Sequence, residues 1–394
     1  MQLNTETVLP EDAKSALLIG RLWSPGPLAG PSVVCIHEGQ VHDLSGVAPT
    51  CSELLNGDAP AAAVRKALRG GNARAIASLA DALQNSSAGR ASPQRAHFLT
   101  PIDLQAVRAC GVTYVASMLE RVIEEQAKGD PKQAEELRHA IGEEIGAELK
   151  NIKPGSPQAM RVKESLIKRK LWSQYLEVGI GPDAEVFNKA QPMSAVGIGA
   201  EVGILANSSW NNPEPELVLA VNRRGQIVGG TLGNDVNLRD WEGRSALLLG
   251  RAKDNNASCA IGPFIRLIDD TYTLDDMRRT QITTHITGTD GFRVEGTYNV
   301  SQISRDITDL ASQAINRNHQ YPDGLALFLG TAFAPTQDRG EPGKGFTHRP
   351  GDVVSIRSPR LGTLVNRVNL CDQIPEWSYG ITDLMRNLSA RGLI

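Results

Sequence analysis

The sequence predicts an α+β protein, and the prediction rests on where strand-like and helix-like runs fall along the chain. Residues 15 to 55 (SALLIGRLW, then PSVVCIHEGQVHDLSG) read as short strands separated by Gly and Pro turns. From Leu104 a long, charge-laced stretch has helical spacing. Beyond LKNIKPGSPQ, to about residue 375, short apolar runs and glycines dominate and helices are few.

At 394 residues the chain exceeds one typical domain, and two are expected. The Ala-rich stretch 59–84 has helical periodicity and completes a small α/β unit with the first strands. The segment NSSAGRASPQR, 85–95, is polar, rich in Ser, Gly and Pro, and without apolar period, so it is read as a linker. The expected division is therefore an N-terminal α/β domain over 1–95 and a larger domain over 96–394. Within the larger one, Gly129-Asp130-Pro131 splits the helical region into helices at roughly 114–128 and 131–150, because Asp130 can cap and Pro131 can occupy the first helical position. The helical insert is placed at about 114–175.

Composition narrows the function. With 41% hydrophobic and 22% charged residues the chain has the make-up of a soluble globular protein. Its net charge of −3 supplies no electrostatic footprint for nucleic acid or an anionic membrane, so neither is expected as a partner. The cysteines Cys35, Cys51, Cys110, Cys259 and Cys371 are odd in number, widely spaced and without a CxxC pair, which argues against a disulfide framework and a thiolate zinc site and suits a reducing cytoplasm. No basic segment followed by an apolar run opens the sequence, and no apolar run reaches the ~20 residues of a membrane span.

The stretch NNPEPELVLAVNRRGQIVGGTLGNDVNLRD, 211–240, carries the chemistry. In a strand, Glu214 and Glu216 share one face while Leu217 and Leu219 share the other. A two-residue turn at Arg224-Gly225 would set residue i opposite 449 − i, placing Asp235 across from Glu214 and Gly233 across from Glu216. Three carboxylates would then converge, with the small Gly233 leaving room beside them, and such a set repels itself unless a cation or protons compensate. An all-oxygen anionic set selects Mg²⁺ first, then Mn²⁺ or Ca²⁺. The same acids would also suit a solvent-facing strand, and a bulged turn would rotate Asp235 away.

PEPEL, then GNDVNLRD, then the lysine of GRAKD, then GTLVNRV near the end of the chain, together resemble the fumarylacetoacetate hydrolase family over roughly 180–370. The resemblance implies a mixed β-roll catalytic domain preceded by a smaller N-terminal domain, and homodimers or homotetramers. It implies Glu214, Glu216 and Asp235 as ligands of Mg²⁺ or Ca²⁺, Lys253 as an active-site lysine, and Arg239 as a substrate-directed arginine on a helix starting near Asn237. It also implies Gly330 and Thr331 at a substrate carboxylate, with Lys189 and Ser194 of VFNKAQPMS in the segment leading into the metal strand.

Two departures redirect the chemistry. Family hydrolases often follow a tyrosine with His three residues on and Glu six residues on, whereas GVTYVASMLER gives Tyr114, Ser117 and Glu120. Where fumarylacetoacetate-cleaving members carry Gln three residues after the arginine, this chain has Glu242. These changes, the long helical insert, and the wording WNNPEPE and GTAFAPTQDRG resemble the branch that dehydrates 2-keto-3-deoxy-pentonates. Cleaving a C–C bond needs a base near neutrality to activate water, and serine in the histidine slot does not supply one. Dehydration needs a metal to acidify the C3 protons of a 2-keto acid and a group to move a proton as the C4 hydroxyl leaves. Glu120 is the first candidate for that group, Lys189 the reserve, Lys253 the enolate's electrostatic partner, and Ser117 a further catalytic candidate.

The expected activity is thus a Mg²⁺-dependent hydro-lyase giving 2,5-dioxopentanoate in pentose sugar-acid catabolism. The alternative is a metal-dependent hydrolase of acylpyruvates or 2,4-diketo-3-deoxy sugar acids, and a catalytically silent keto-acid binder is a third reading. GIGAEVG at 197–203 lacks dinucleotide-loop spacing, and the GKG of GEPGKGFTH lacks the Ser or Thr of a phosphate loop. His37 and His42 have no metal-ligand partners nearby in sequence. The amphipathic helices between 114 and 150 are read as a packing element, with a lid as the other option.

Overall fold

The computed structural model describes residues 3–87, 92–137, 149 and 152–394. Residues 88–91 of the expected linker and 138–148 and 150 of the expected second insert helix lie outside the described residues; 131–137 are helical.

The early strands are β1 (Leu18–Ser24), β2 (Gly30–His37), β3 (Gln40–Asp43), β4 (Arg74–Ser78), β5 (His97–Leu99), β6 (Ala106–Gly111) and β7 (Glu185–Ala190). Next come β8 (Glu201–Ile204), β9 (Asn211–Asn212), β10 (Pro215–Val221), β11 (Ile227–Asp235), β12 (Asn237–Leu238) and β13 (Cys259–Leu267). The last are β14 (Gln281–Thr287), β15 (Arg293–Asn299), β16 (Leu325–Phe328), β17 (Val353–Ser358) and β18 (Gly362–Leu370). An 11-stranded sheet runs β4-β3-β2-β1-β13-β11-β10-β16-β6-β7, with β5 added on β1. A 5-stranded sheet runs β15-β14-β17-β18-β8, and β12 and β9 form a short pair. Both larger sheets are mixed: β16 with β6 and β18 with β8 are parallel, and the other named pairs are antiparallel. The pairing of β1 with β13 joins strands from before and after residue 95 in one sheet.

Strand β10 is buried along its whole length. Its alternation sorts two cores: Leu217, Leu219 and Val221 enter one apolar cluster, and Val218 and Ala220 enter another. A third cluster belongs to the helical region, where Met118, Val122 and Ile123 of the helix Val115–Gln126 meet Leu166 of Pro157–Lys168 and Leu176 and Ile180 of Gln174–Ile180. Gly179 makes this approach possible, since a Cβ there would sit 2.7 Å from the Met118 sulfur.

The hairpin between β10 and β11 corrects one expectation. The turn is not the two-residue Arg224-Gly225 connection: Asn222 N donates to Gln226 O at 2.9 Å, leaving Arg223, Arg224 and Gly225 as a three-residue loop with Gly225 at φ +77°. A bulge follows, because Ala220 pairs with Gly229 while Val221 pairs with Ile227, and the extra residue restores the register the shorter turn would have given. Glu216 therefore does face Gly233, as expected. The space at Gly233 is not free beside the acids, however; a Cβ built there would lie 2.3 Å from the Phe328 ring and 2.6 Å from Val218, so the glycine admits core side chains.

Gly233→Ala is expected to lower stability by about 1–3 kcal/mol through overpacking, read as a fall in the urea midpoint; an unchanged midpoint would show that Phe328 relaxes without penalty.

Candidate metal centre

The acids sit where β10 begins and β11 ends. Asp235 N donates to Glu214 O at 2.9 Å, extending the ladder one residue beyond β10, and the side-chain oxygen of Asn234 accepts from Glu214 N at 3.2 Å. Strand alternation aims Glu214 and Glu216 to one side, and the antiparallel register brings Asp235 to the same side. Ligand oxygens of Glu214, Glu216 and Asp235 lie within 4.8 Å of one another, and all three residues are buried.

Each carboxylate is held. Glu216 accepts from Gly330 N at 2.6 Å, and Gly330 adopts φ +85° to present that amide. Glu214 accepts from Asn237 Nδ2 at 3.2 Å and from Lys253 Nζ, while Lys253 also donates to Asp235 Oδ2 at 3.1 Å. Lys189, without solvent exposure, pairs with Asp235 Oδ1 at 2.9 Å and donates to the carbonyls of Val236, at 3.2 Å, and Lys253. Burial, then the charges of Asp235 and Glu214, push the Glu216 carboxyl far above its usual range. Asp235 goes the other way: burial raises it, but Lys189 and Lys253 together outweigh burial and hold it low. Burial opposes the Lys253 ammonium, and Asp235 and Glu214 more than offset that, so it stays protonated well above its ordinary value.

A carboxyl driven up by burial and by two like-charged neighbours, in a cluster offering only oxygen donors, is one that an added positive charge would stabilise in its ionised form. Its residues fit a hard divalent cation, and no His or Cys belongs to the cluster to favour zinc.

The cavity at this cluster is lined by Cys110, Gly111, Val112, Ser117, Arg121, Glu185, Phe187, Glu214, Glu216, Asp235, Glu242, Lys253, Gly330 and Thr331. Its volume of about 30 Å³ is room for a water or two. Of the residues singled out in the sequence, Glu214, Glu216, Asp235, Lys253, Ser117, Glu242, Gly330 and Thr331 all reach it. Ser117 has a structural task as well: its hydroxyl accepts from Tyr114 N at 3.2 Å and donates to Tyr114 O at 2.8 Å, capping the helix it opens.

Four others do not line the cavity. Glu120 pairs with Arg239 at 2.9 Å, and Arg239 in turn donates to Glu124 at 2.6 Å and lies over the Trp210 ring, clamping the helix Val115–Gln126 to the short helix Arg239–Glu242. Lys189 is behind Asp235, as described. Ser194 turns its hydroxyl back to Gln191 O at 2.8 Å.

Two cavity residues were missed. Arg121 reaches Glu242 at 2.8 Å, Glu214 at 2.5 Å and Glu124, so one guanidinium ties the helical region to the acid cluster. Spacing alone did not separate it from Glu120, because Ser117, Glu120, Arg121 and Glu124 share one helix face at i, i+3, i+4 and i+7; the pairing of Glu120 with Arg239 is what distinguishes the two. Glu185, at the start of β7, lies opposite Gly111, where a Cβ would fall 1.9 Å from a carboxylate oxygen of Glu185; the missing side chain at 111 is what lets that carboxylate fold over β6. Burial, then the charge of Glu242, raises the Glu185 carboxyl to about 7, with Arg121 and Lys253 pulling the other way. No motif marks Glu185; only strand pairing brings it in.

The family profile described as Fumarylacetoacetate (FAA) hydrolase C-terminal matches residues 159–369, more than half of the chain and the whole of the metal cluster. The chain belongs to the fumarylacetoacetate hydrolase family. Among curated proteins it is 34% identical over 187 residues to a 2-dehydro-3-deoxy-D-arabinonate dehydratase of Saccharolobus solfataricus, a stretch that is 47% of this chain and 58% of that protein. It is 33% identical over 194 residues to a probable 2-keto-3-deoxyxylonate dehydratase of Haloferax volcanii, 49% of this chain and 63% of that protein. The match thus spans about three-fifths of each relative. A solved 2-keto-3-deoxy-D-arabinonate dehydratase, complexed with magnesium and 2,5-dioxopentanoate, shares the fold with a TM-score of 0.59 at 21% identity, covering 90% of this chain and 99% of its own. Its apo form matches with the same score and coverage.

Titrating Mg²⁺ calorimetrically into the protein and into Glu214→Ala is expected to show binding weakened at least about tenfold in the variant, the scale for losing a charged ligand; equal affinities would exclude Glu214 as a ligand.

Proposed function

We propose that this protein is a Mg²⁺-dependent hydro-lyase that converts a 2-keto-3-deoxy-pentonate to 2,5-dioxopentanoate. The observation that carries the reading is the composition of the cavity: three converging carboxylates, a protonated lysine and a carboxyl with a pKa of about 7, and no histidine among its lining residues. The names of the two curated relatives and of the magnesium-bound structure support the same substrate class.

Glu214, Glu216 and Asp235 would hold the ion, which when bound polarises the 2-oxo acid and acidifies its C3 protons. The chain's own residues do the rest. Glu185, in place of Glu120, is assigned the proton transfer, because Glu120 is committed to Arg239 outside the cavity lining. A carboxylate whose pKa lies near 7 is a stronger base than an ordinary glutamate, and the proton it accepts from C3 can pass to the C4 hydroxyl. The C3–H and C4–O bonds break, a C3=C4 bond forms, and water leaves; proton shift to the C4–C5 enol and ketonisation then give the aldehyde. Lys253 stabilises enolate charge without supplying a proton, and Arg121 and Thr331 are the cavity donors suited to the substrate carboxylate. Lys189 and Arg239 hold Asp235 and the helix Val115–Gln126 in place, and Glu242 restrains Arg121.

The proposal extends to a homodimer or homotetramer in the cytoplasm. All five cysteines are unpaired, and among the described residues no helix is long and apolar enough to cross a membrane.

Incubation with both C4 epimers of the keto-deoxy acid, with and without EDTA, is expected to yield semialdehyde only when metal is present; two carbonyl fragments from an acylpyruvate and none from the keto-deoxy acid would replace this reading with C–C hydrolysis. Glu185→Gln is expected to lower kcat by about 10²–10⁴-fold. Because the ionised form starts the reaction, kcat/KM should rise with pH through a single ionisation at or below about 7, the cation moving it downward. Full turnover by the variant removes Glu185 from the mechanism.

A further inference from the structure

A second cavity, of about 280 Å³, opens beside β1 and shares no lining residue with the metal centre. Its walls are Trp23, His97, Phe98 and Tyr379, with Met193 and the backbone strip 195–198 below and the half-exposed Trp377 at the side. Trp23 and His97 are stacked at 6.1 Å and 21°, and Tyr379 meets Trp23 edge-on at 5.7 Å, so three rings in two orientations line the cavity.

Two polar side chains in that cavity are underused. Arg21 is 3% exposed, yet of its guanidinium only Nη1 has an oxygen acceptor in hydrogen-bond range, Ile102 O at 2.7 Å. Nη2 meets only the Met193 sulfur at 3.8 Å, a weak acceptor, and Nε is 3.7 Å from Asp103, beyond hydrogen-bond reach. Asp103 is itself occupied by the backbone amides of Cys51, at 2.6 Å, and of Ser52 and Leu104, at 2.9 and 2.8 Å. Thr100, 4% exposed, has a hydroxyl with no hydrogen-bond partner. Arg21, its charge partly offset by Asp103, thus keeps a guanidinium nitrogen whose acceptor is only a sulfur, and Thr100 a hydroxyl with no partner, in the lining of one cavity, where a carboxylate is an acceptor suited to both donors.

We propose that this cavity binds a small, flat aromatic monocarboxylate, its ring against Trp23, His97 and Tyr379 and its carboxylate on Arg21 and Thr100. One guanidinium and one hydroxyl provide for one carboxylate, and the volume, at the lower end of ligand sites, suits a single ring.

Benzoate is the probe, with benzyl alcohol as its uncharged counterpart, titrated calorimetrically and by tryptophan fluorescence in EDTA. Benzoate is expected to bind at least about tenfold more tightly than benzyl alcohol, the scale of a charged hydrogen bond. Thr100→Val, which keeps shape and removes only the hydroxyl, should weaken benzoate severalfold, and Arg21→Met should erase the difference between the probes. Asp235→Asn should leave benzoate binding intact, separating this cavity from the metal centre. Equal affinity of the two probes, no binding to millimolar concentration, or loss of binding in Asp235→Asn with retention in Arg21→Met would each overturn the proposal.

Discussion

Everything at the metal centre depends on the pairing of β10 with β11. That pairing sets Glu214 opposite Asp235 and Glu216 opposite Gly233, so three acids from two strands face one point. Slipping it by one residue would exchange the two faces, sending the acids toward the cluster that Leu217 and Leu219 occupy and the leucines toward the metal centre. Buried β10 resists such a slip, because Leu217, Leu219 and Val221 on one face and Val218 and Ala220 on the other are each committed to an apolar cluster. The hydrophobic effect thus fixes a register whose chief consequence is electrostatic.

The concentrated negative charge then organises its surroundings. Lys189 and Lys253 hold Asp235 ionised against burial, while Glu216 is left with its carboxyl pushed upward by its neighbours. Arg121 extends the same compensation to the helical region by bridging Glu124, Glu214 and Glu242. Arg239 repeats the device one layer out, joining Glu120 and Glu124. The helix Val115–Gln126 is therefore tied to the site by ion pairs on one side and by its own apolar cluster on the other. Buried ion pairs of this kind add little net stability relative to apolar packing, but removing one partner leaves an unpaired charge, so they fix position strongly.

The sequence reading succeeded where the signal is local. The E-x-E spacing and the aspartate 19 residues after Glu216 could be read without coordinates, because strand alternation and a hairpin connect them at short range, whereas the lysine of GRAKD was read from the family resemblance. Even there the turn was misread, and the register came out right because a bulge compensated for a longer loop. Glu120 illustrates the limit: it matches a motif position, but helical geometry points it toward Arg239, while Arg121 faces the cavity. Glu185 has no sequence signature, since its place depends on β7 pairing with β6 and on the absent side chain of Gly111.

By itself, then, the amino-acid order determined the cluster of acids and the hard-cation chemistry they imply, since both follow from residue type at short spacing, and through its resemblance to known motifs it pointed to the family and to the lysine beside the acids. Tertiary structure alone decided which carboxyl sits at a pKa of about 7, which arginine reaches the acids, and that Arg21 and Thr100 face a second cavity with donors to spare. The reason is physical. Burial and the charges of distant segments set a group's protonation and its unmet hydrogen bonds, and neither exists until strands far apart in sequence are packed side by side.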